Sequence, residues 1–137
     1  MIKEKSCGAV IYRLEENTRK YFLIYNQKNN AFGHWGFPKG HKEGTENEYE
    51  TASREIFEES GLRVVFDGIT RVVTHYSPKP GVEKDVVYFL ASPKLGQNVV
   101  LQKEEATDYR WCTFSEALEL LKHDKDILMK IEKSFSK

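Results

Sequence analysis

The chain has 137 residues, of which 39% are hydrophobic and 31% are charged, a balance typical of one globular domain with its own core. Its 21 basic residues equal its 21 acidic residues in number, so no global positive charge favours a nucleic-acid polymer as partner. No segment approaches the roughly 20 apolar residues of a membrane span, and we expect no membrane association.

The first part of the chain predicts an antiparallel hairpin and a short third strand. Residues 7–13 and 21–25 are rich in the residue types of strands, and the polar run 15–20 between them predicts a hairpin loop. Residues 35–37 predict a short strand, which Pro38 ends because proline cannot donate a ladder hydrogen bond.

Residues 45–60 carry the strongest helical pattern in the chain. Thr45 and Glu48 have the spacing of a capping box, in which two side chains satisfy backbone N–H groups at the start of a helix. Gly61 stands where a left-handed residue would end that helix.

Further strands are predicted for the second half of the chain. Residues 62–66, 69–76 and 85–91 have strand composition, and residues 109–112 are compatible with another strand. Residues 77–84 contain two prolines and a glycine, and this composition predicts a loop.

Two short helices are predicted at the end of the chain. Thr113 and Glu116 repeat the capping-box spacing and introduce a helix over residues 115–122. Asp124 is a candidate cap for a last helix, whose apolar stripe consists of Ile127, Leu128 and Ile131. Because strands and helices do not alternate regularly, we predict an α+β fold with a mixed sheet covered by helices.

Two cysteines bear on the setting of the protein. Cys7 and Cys112 lie outside any paired metal-ligand spacing, and we interpret both as buried, reduced thiols. A chain without a disulfide framework and without a secretory signal is expected in the cytoplasm. We expect a single domain over residues 1–137, and the sequence does not indicate an oligomeric state.

Three carboxylates on the predicted helix point in similar directions. At about 100° per residue, Glu55, Glu58 and Glu59 fall within an arc of roughly 100°, and Glu48 points nearly the same way. A hard cation such as Mg²⁺ prefers oxygen ligands and would relieve their repulsion. Arg54 is placed to orient one of these carboxylates by a charge-assisted hydrogen bond. Taken alone, however, the pattern favours a solvated acidic helix face.

The wider segment, residues 40–62, favours the metal site. It resembles the Nudix box, G-x5-E-x7-R-E-U-x-E-E-x-G-U with U apolar, and it matches at every specified position. The matching residues are Gly40, Glu46, Arg54, Glu55, Ile56, Glu58, Glu59, Gly61 and Leu62. The β-rich order of the flanking segments is also similar to that of the Nudix hydrolases, and the apolar box positions would face the core.

The resemblance implies a Nudix-type α/β/α sandwich with a mixed β-sheet and a loop–helix–loop catalytic motif. It implies a hydrolase of phosphoric anhydride bonds in which Glu55, Glu58 and Glu59 bind Mg²⁺, with Mn²⁺ as a substitute. The carbonyl of Gly40 would be a further ligand, since no side chain blocks close approach there. Glu46 corresponds to the box glutamate that has a supporting ionic role.

The sequence leaves more than one candidate for the residue that acts as general base. Nudix enzymes use either a glutamate of the box or one on a distant loop, and Glu104 and Glu105 lie in the loop after the strand at 85–91. The family often keeps a catalytic glutamate there, and we predict Glu105. The alternatives are a box glutamate, above all Glu55, or a loop whose two glutamates are merely exposed.

The segment before the helix narrows the choice of substrate. Residues 34–41 (HWGFPKGH) resemble the W-x-x-P-K-G-H segment of Nudix enzymes that hydrolyse diadenosine tetraphosphate. Lys39 and His41 would place cationic groups beside the metal ligands, where a polyphosphate chain needs partners. The alternative is that His41 is a loop residue whose hydrogen bond has only a structural role.

A second segment resembles the same enzymes. Residues 84–91 (KDVVYFLA) are similar to their K-x-V-x-Y-F/W-L-A strand, which makes Lys84 a candidate phosphate contact and Tyr88 a candidate platform for adenine. Tyr88 fits a buried core position equally well, and Tyr76 is another candidate platform. The chain departs from these enzymes in the loop at residues 77–81.

The resemblance leads to one expected function and to alternatives. We expect a bis(5′-nucleosyl)-tetraphosphatase that cleaves diadenosine tetraphosphate, a small nucleotide substrate, to ATP and AMP. A nucleoside triphosphate pyrophosphohydrolase and an RNA 5′ pyrophosphohydrolase of the same family are the alternatives. A non-enzymatic nucleotide-sensing domain is disfavoured by the complete set of glutamates.

Overall fold

A computed structural model describes residues 1–27, 32–101, 104 and 106–136. The described residues form seven strands and three helices. In chain order these are β1 (Ile2–Glu15), β2 (Thr18–Asn26), β3 (His34–Gly36), β4 (Lys39–His41), α1 (Glu48–Ser60), β5 (Val64–Lys79), β6 (Val82–Pro93), β7 (Ala106–Cys112), α2 (Phe114–Leu120) and α3 (Lys125–Ser134). Within these residues, no helix is long and apolar enough to cross a membrane.

The strands form one mixed sheet, as predicted. Its order is β3-β2-β1-β6-β5, with β4 also paired to β1 and β7 also paired to β2. β1 and β6 run parallel, whereas β1 and β2 form the predicted antiparallel hairpin. Because β1 pairs with β2 only over residues 12–15, its first half is available to pair with β4 and so brings the Nudix-box segment to the sheet.

Both faces of the sheet are covered, so the sandwich architecture is confirmed. On β6, Val86 and Tyr88 point into the core shared with α2 and α3, whereas Val87 and Phe89 point into the core shared with α1. This alternation follows from the period of two in a strand. The two cysteines are free and buried, as predicted, one in each core.

The N-cap of helix α1 lies two residues later than the sequence predicts. Asn47 is the N-cap and forms the capping box with Glu50, so the expected box of Thr45 and Glu48 was wrong. The Asn47 side chain accepts from the Glu50 backbone N–H at 2.8 Å, and the Glu50 carboxylate accepts from the Asn47 N–H at 2.8 Å. At the other end, Gly61 is left-handed with φ 72°, as predicted, and closes the helix.

Glu48 has a different role from the one its helical position suggested. Its carboxylate accepts two hydrogen bonds from Arg71 and one from Lys5, all at 2.8 Å, on the outer part of the sheet. Arg71, followed by Lys5, holds the pKa of this carboxyl at about 2. Glu48 therefore ties α1 to β5 and β1 and does not line the cleft described below.

Residues 62–84 fold as a long hairpin rather than as two strands and a loop. β5 runs continuously from Val64 to Lys79, with its register to β6 shifted between Phe66 and Arg71. Asp67 fills this irregularity by accepting the backbone N–H groups of Ile69 and Thr70 at 3.1 and 3.0 Å. The predicted loop at 77–84 was wrong because the turn occupies only residues 80–81, where Gly81 has φ 82°.

The last two helices follow the sequence prediction with one difference. Thr113 and Glu116 form the predicted capping box of α2. Asp124 precedes α3 but makes no side-chain capping bond among the described residues. Its carboxylate instead accepts the hydroxyl of Tyr88 at 2.8 Å. The predicted apolar stripe of α3 is buried, with Ile127, Leu128 and Ile131 each at most 1% exposed.

Candidate active site

One cleft brings together the predicted metal ligands and the predicted phosphate contacts. It has a volume of about 780 Å³ and lies where β4 and the middle of α1 meet the ends of β2 and β6. Its lining includes Gly40, Glu55, Glu58 and Glu59 together with Lys39, His41 and Lys84. Residues from six strands and one helix therefore line one space.

Glu55 lies directly against Gly40. A Cβ added at residue 40 would overlap the carboxyl carbon and both oxygens of Glu55, so only glycine permits this approach of α1 to β4. The Glu55 side chain is 16% exposed, and burial raises the pKa of its carboxyl. The next turn of the helix adds Glu59, whose Oε2 accepts the backbone N–H of Lys39 at 3.1 Å.

Arg54 joins the carboxylates of the box to the loop before α1. Its Nε donates to Glu46 Oε2 at 2.7 Å and its Nη1 donates to Glu55 Oε1 at 2.9 Å, while Nη1 also lies 3.3 Å from Glu58 Oε2. Its Nη2 donates to the backbone carbonyl of His41 at 2.8 Å. Arg54 holds the pKa of the Glu46 carboxyl at about 2, so this carboxylate stays charged over the physiological range.

The donor atoms fit a hard divalent cation, although they are not gathered around one point. Within the described residues, no group of three or more His, Cys, Asp or Glu side chains stands close enough to hold a metal ion. The guanidinium of Arg54 reaches both Glu55 and Glu58, and since each carboxylate has two oxygens, each could bind Arg54 and a cation together. The available donors are carboxylate and carbonyl oxygens, which Mg²⁺ prefers.

The predicted cationic residues meet at the cleft wall. Lys84 Nζ lies 3.3 Å from His41 Nε2, although the two residues are 43 positions apart in the chain. β4 and β6 both pair with β1, and this pairing brings the two side chains together. Lys39 lines the same cleft from the residue before Gly40.

A second cavity, of about 390 Å³, shares Asn26, His34 and Lys39 with the cleft. We call this space the aromatic cavity because its other lining side chains include Trp35, Phe37, Tyr76, Tyr88 and His123. The two spaces are therefore neighbours with a common wall. A ligand with one charged and one flat aromatic part could extend across both.

The two tyrosine candidates differ in exposure. Tyr76 is 47% exposed and can offer a ring face to a ligand. Tyr88 is 0% exposed, its ring packs edge-on against Phe37 with centroids 5.8 Å apart, and its hydroxyl is bound to Asp124. The proposal of Tyr88 as a stacking platform is therefore corrected to the core position that the sequence left as its alternative.

The predicted general base, Glu105, lies outside the described residues. Glu104, its neighbour, is exposed and lines the same cleft as the predicted metal ligands.

Several residues at the site were assigned no role from the sequence. His34 and His123 pack edge-on with ring centroids 5.6 Å apart, and burial lowers the pKa of His34. Ser6 and Asn26 line the cleft from β1 and β2, strands that also supply core residues such as Ile11 and Phe22. A strand pattern cannot show that its polar end borders a cavity, because the cavity is formed by distant elements.

Comparison with known proteins agrees with this geometry. The NUDIX domain family matches residues 5–131. The chain is 32% identical over 130 residues to the asymmetrical bis(5′-nucleosyl)-tetraphosphatase of Rattus norvegicus, covering 88% of this chain and 86% of the relative. It is 33% identical over 126 residues to the enzyme of the same name from Sus scrofa, covering 85% and 83%.

Solved structures give the same result. A binary complex of the Ap4A hydrolase of C. elegans superposes with a TM-score of 0.87 at 25% identity, covering 97% of this chain and 98% of that chain. The MutT protein of Methanosarcina mazei Go1 shares the fold, with a TM-score of 0.76 at 22% identity over 99% and 97% of the two chains. The Nudix box is complete, its glutamates line the cleft, and the family model matches most of the chain. The chain therefore belongs to the Nudix hydrolase family.

Proposed function

We propose that this protein is an asymmetrical bis(5′-nucleosyl)-tetraphosphatase that uses Mg²⁺ to hydrolyse diadenosine tetraphosphate to ATP and AMP. The observation that carries the proposal is the adjacency of two spaces. The cleft holds the box glutamates and three basic side chains, and it borders an aromatic cavity through a common wall. A long, charged phosphate chain with a flat base at its end matches this arrangement.

Metal binding is assigned to Glu55, Glu58, Glu59 and the carbonyl of Gly40. Their oxygen donors support Mg²⁺, with Mn²⁺ as a substitute, over a softer ion that would need nitrogen or sulfur ligands. A divalent cation bound there would lower the pKa of the attacking water and screen the phosphate charge. The tight contact of Glu55 with Gly40 would keep one ligand in a fixed place.

The phosphate chain is assigned to Lys39, His41 and Lys84. Tetraphosphate carries several negative charges, and basic side chains on the same wall offset them by charge-assisted hydrogen bonds. The backbone bond from Lys39 to Glu59 fixes the main chain of this residue beside the metal ligands. Lys84 Nζ lies 3.3 Å from His41 Nε2, so both side chains would meet the same part of the phosphate chain.

Arg54 has a positioning role in this proposal. It binds the charged Glu46 on one side and reaches the carboxylates of Glu55 and Glu58 on the other. Two of its donors are used by Glu46, which holds the guanidinium plane in place. The Nη1 group would orient the metal-binding carboxylates of Glu55 and Glu58 as the cation enters.

Proton removal from the attacking water is assigned to Glu105, on the loop whose neighbouring Glu104 reaches the cleft. Glu55 is the competing candidate. Burial raises the pKa of its carboxyl, and this direction makes a carboxylate a better base at neutral pH. Substitution of each glutamate separates the two assignments.

The nucleoside at one end of the substrate is assigned to the aromatic cavity. Tyr76 supplies the exposed ring, and stacking of a base on an aromatic side chain contributes about 1–3 kcal/mol. The remaining walls are Trp35 and the paired rings of His34 and His123. Cleavage is asymmetric if the box glutamates act nearer to this end of the phosphate chain than to the other.

A nucleotide panel tests the proposal. Diadenosine tetraphosphate, ATP, 8-oxo-dGTP and a 5′-triphosphorylated RNA are compared by kcat/KM, with products identified by chromatography. We expect diadenosine tetraphosphate to be the best substrate, and an excess of kcat/KM for a simple nucleoside triphosphate by tenfold would overturn the proposal. Absence of turnover with every compound, in the presence of Mg²⁺ or Mn²⁺, would indicate a sensing domain instead.

Two matched variants complete this test. Glu59→Gln removes a proposed metal ligand while keeping the size of the side chain. Glu119→Gln makes the same change at an exposed position on α2, outside the cleft. The first should abolish turnover of every substrate and the second should leave it unchanged.

A further inference from the structure

Two buried oxygen atoms at the cleft have no hydrogen-bond partner among the described residues. They are Ser6 Oγ and Asn26 Oδ1, and both residues line the cleft. Buried polar atoms are almost always paired, because an unpaired one loses its hydration without compensation. Because the residues that carry these atoms line a ligand-sized cleft, a donor group of a ligand could pair with them once the side chain turns toward the cleft.

Asn26 has the more informative position of the two. It is the last residue of β2, paired with His34 on one side and Ala106 on the other, and the register to β7 shifts between Tyr25 and Asn26. Such an irregularity bends the strand and redirects a side chain. Asn26 lines both the cleft and the aromatic cavity, so its side chain stands at their boundary.

The chemistry of the unpaired atom restricts its partner. A carboxamide oxygen accepts hydrogen bonds and cannot donate them. Phosphate oxygens at neutral pH also only accept, so the tetraphosphate chain cannot satisfy Asn26 Oδ1. A partner must carry an O–H or an N–H group. Ser6 Oγ is less selective, because a hydroxyl can donate to a phosphate oxygen.

Position then selects among the possible donors. In a nucleotide, the ribose joins the phosphate chain to the base, and Asn26 joins the space assigned to the phosphates to the space assigned to the base. A ribose hydroxyl can both donate and accept, so it can pair with either end of the carboxamide. The exocyclic amine of adenine is the other donor, but it lies at the far end of the base from the sugar.

We infer that the Asn26 carboxamide binds a ribose hydroxyl of the substrate and makes the enzyme selective for nucleotides that carry this hydroxyl over analogues that lack it. This inference rests on the proposed function, because it takes the substrate to lie across the cleft and the aromatic cavity. It adds a specificity-determining residue that the Nudix box does not contain. A site that binds a hydroxyl discriminates strongly against the analogue lacking it, since its own polar group is then left unpaired.

The test compares ribose and deoxyribose forms of one substrate. Diadenosine tetraphosphate and its analogues with 2′-deoxyadenosine or 3′-deoxyadenosine at both ends are assayed with wild type and Asn26→Ala. We expect wild type to prefer the ribose form over at least one analogue by about tenfold or more in kcat/KM. Asn26→Ala should lose activity on the ribose form only, bringing the ratio to within about twofold of unity.

Two further variants separate the hydrogen bond from other effects. Asn26→Asp keeps an acceptor oxygen at the same place, so it should retain the ribose preference even if its charge raises KM. Asn98→Ala removes an exposed asparagine outside both spaces and should behave as wild type. An unchanged ribose preference in Asn26→Ala, or no preference in wild type, would overturn the inference.

A binding measurement keeps this result distinct from the substrate assignment. Titration calorimetry with AMP and 2′-deoxy- and 3′-deoxy-AMP gives the same ratio without any anhydride bond to cleave. If wild type does not hydrolyse diadenosine tetraphosphate but binds AMP with an Asn26-dependent ribose preference, the proposed function fails and the inference stands. If wild type hydrolyses the substrate but the two binding ratios agree between wild type and Asn26→Ala, the inference fails alone.

Discussion

Replacement of Gly40 by alanine tests how the contact between β4 and α1 positions a proposed metal ligand. A Cβ at this residue would overlap the carboxyl carbon and both carboxylate oxygens of Glu55. Since non-bonded carbon atoms keep about 3.5 Å apart, the carboxylate would have to retreat by more than about 1 Å. The carbonyl of residue 40, the other proposed ligand, is unchanged by the substitution.

The structure predicts a small effect on stability and a large one on activity. The displaced atoms are the end of a flexible side chain, and Gly40 is not among the glycines with positive φ. We therefore expect the free energy of unfolding to change by less than about 1 kcal/mol. A displacement of about 1 Å in a reacting geometry costs roughly 10²-fold in rate, and we expect kcat/KM to fall by that factor.

The assay is a double-mutant cycle in kcat/KM, with unfolding followed by circular dichroism. If Gly40→Ala acts through Glu55, the double variant Gly40→Ala/Glu55→Gln should be no slower than Glu55→Gln. Gly36→Ala, whose added Cβ would lie 3.9 Å from its nearest neighbour, His34, is the stability control for a methyl group on a short strand. Near-normal kcat/KM in Gly40→Ala, or additive losses in the double variant, would refute the positioning argument.

Three further predictions concern the metal, the base and the fold. Activity should vanish with chelator and return with Mg²⁺ or Mn²⁺, and Glu59→Gln should lower kcat by several orders of magnitude with an unchanged circular dichroism spectrum; normal turnover would contradict metal binding there. Glu105→Gln should slow the chemical step by roughly 10²–10⁴-fold, whereas a larger loss in Glu104→Gln would move the general base by one residue. Glu48→Gln should lower the free energy of unfolding at pH 7 by about 1 kcal/mol. Arg71 is the main cause that holds the pKa of the Glu48 carboxyl at about 2, below its ordinary 4.5. The contribution of Glu48 to stability is therefore complete above pH 4.5 and is lost as the pH falls toward 2. Urea unfolding of both proteins between pH 2 and 7 measures it, and a constant difference would contradict the ion pair.

Features set by local spacing were predictable from the sequence. Glu55, Glu58 and Glu59 share one face of α1 because residues three and four apart are neighbours on a helix, and all three line the cleft. Gly61 ends the helix because it can adopt a left-handed conformation without a Cβ clash. The alternation of β6 between two cores likewise follows from the strand period.

Features set by competition between neighbours were not predictable in the same way. Thr45 and Asn47 were both able to cap α1, and Asn47 does so while Glu48 is bound by cations from distant strands. The segment 77–84 contains two prolines and a glycine, yet strand pairing continues until residues 80–81. Contacts with residues distant in the sequence determine both the cap of α1 and the length of β5, and a local sequence pattern does not show such contacts.

The walls of the site show the same limit. Tyr88 has the residue type of a stacking platform, but α3 covers its strand and Asp124 binds its hydroxyl. Asn26, His34 and His123 meet only because β2, β3 and the turn before α3 are brought together in the fold. Sequence patterns therefore predicted the chemistry of the cleft better than the surface that selects its substrate.

Hydrolysis of diadenosine tetraphosphate in H₂¹⁸O, with mass analysis of the separated products, tests the proposed function most directly. The proposal predicts ATP and AMP in equal amounts, with ¹⁸O in only one of the two, because water attacks a single phosphorus atom at an asymmetric position of the chain. Two ADP as the main products, or no turnover under conditions in which another nucleotide is cleaved, would contradict it.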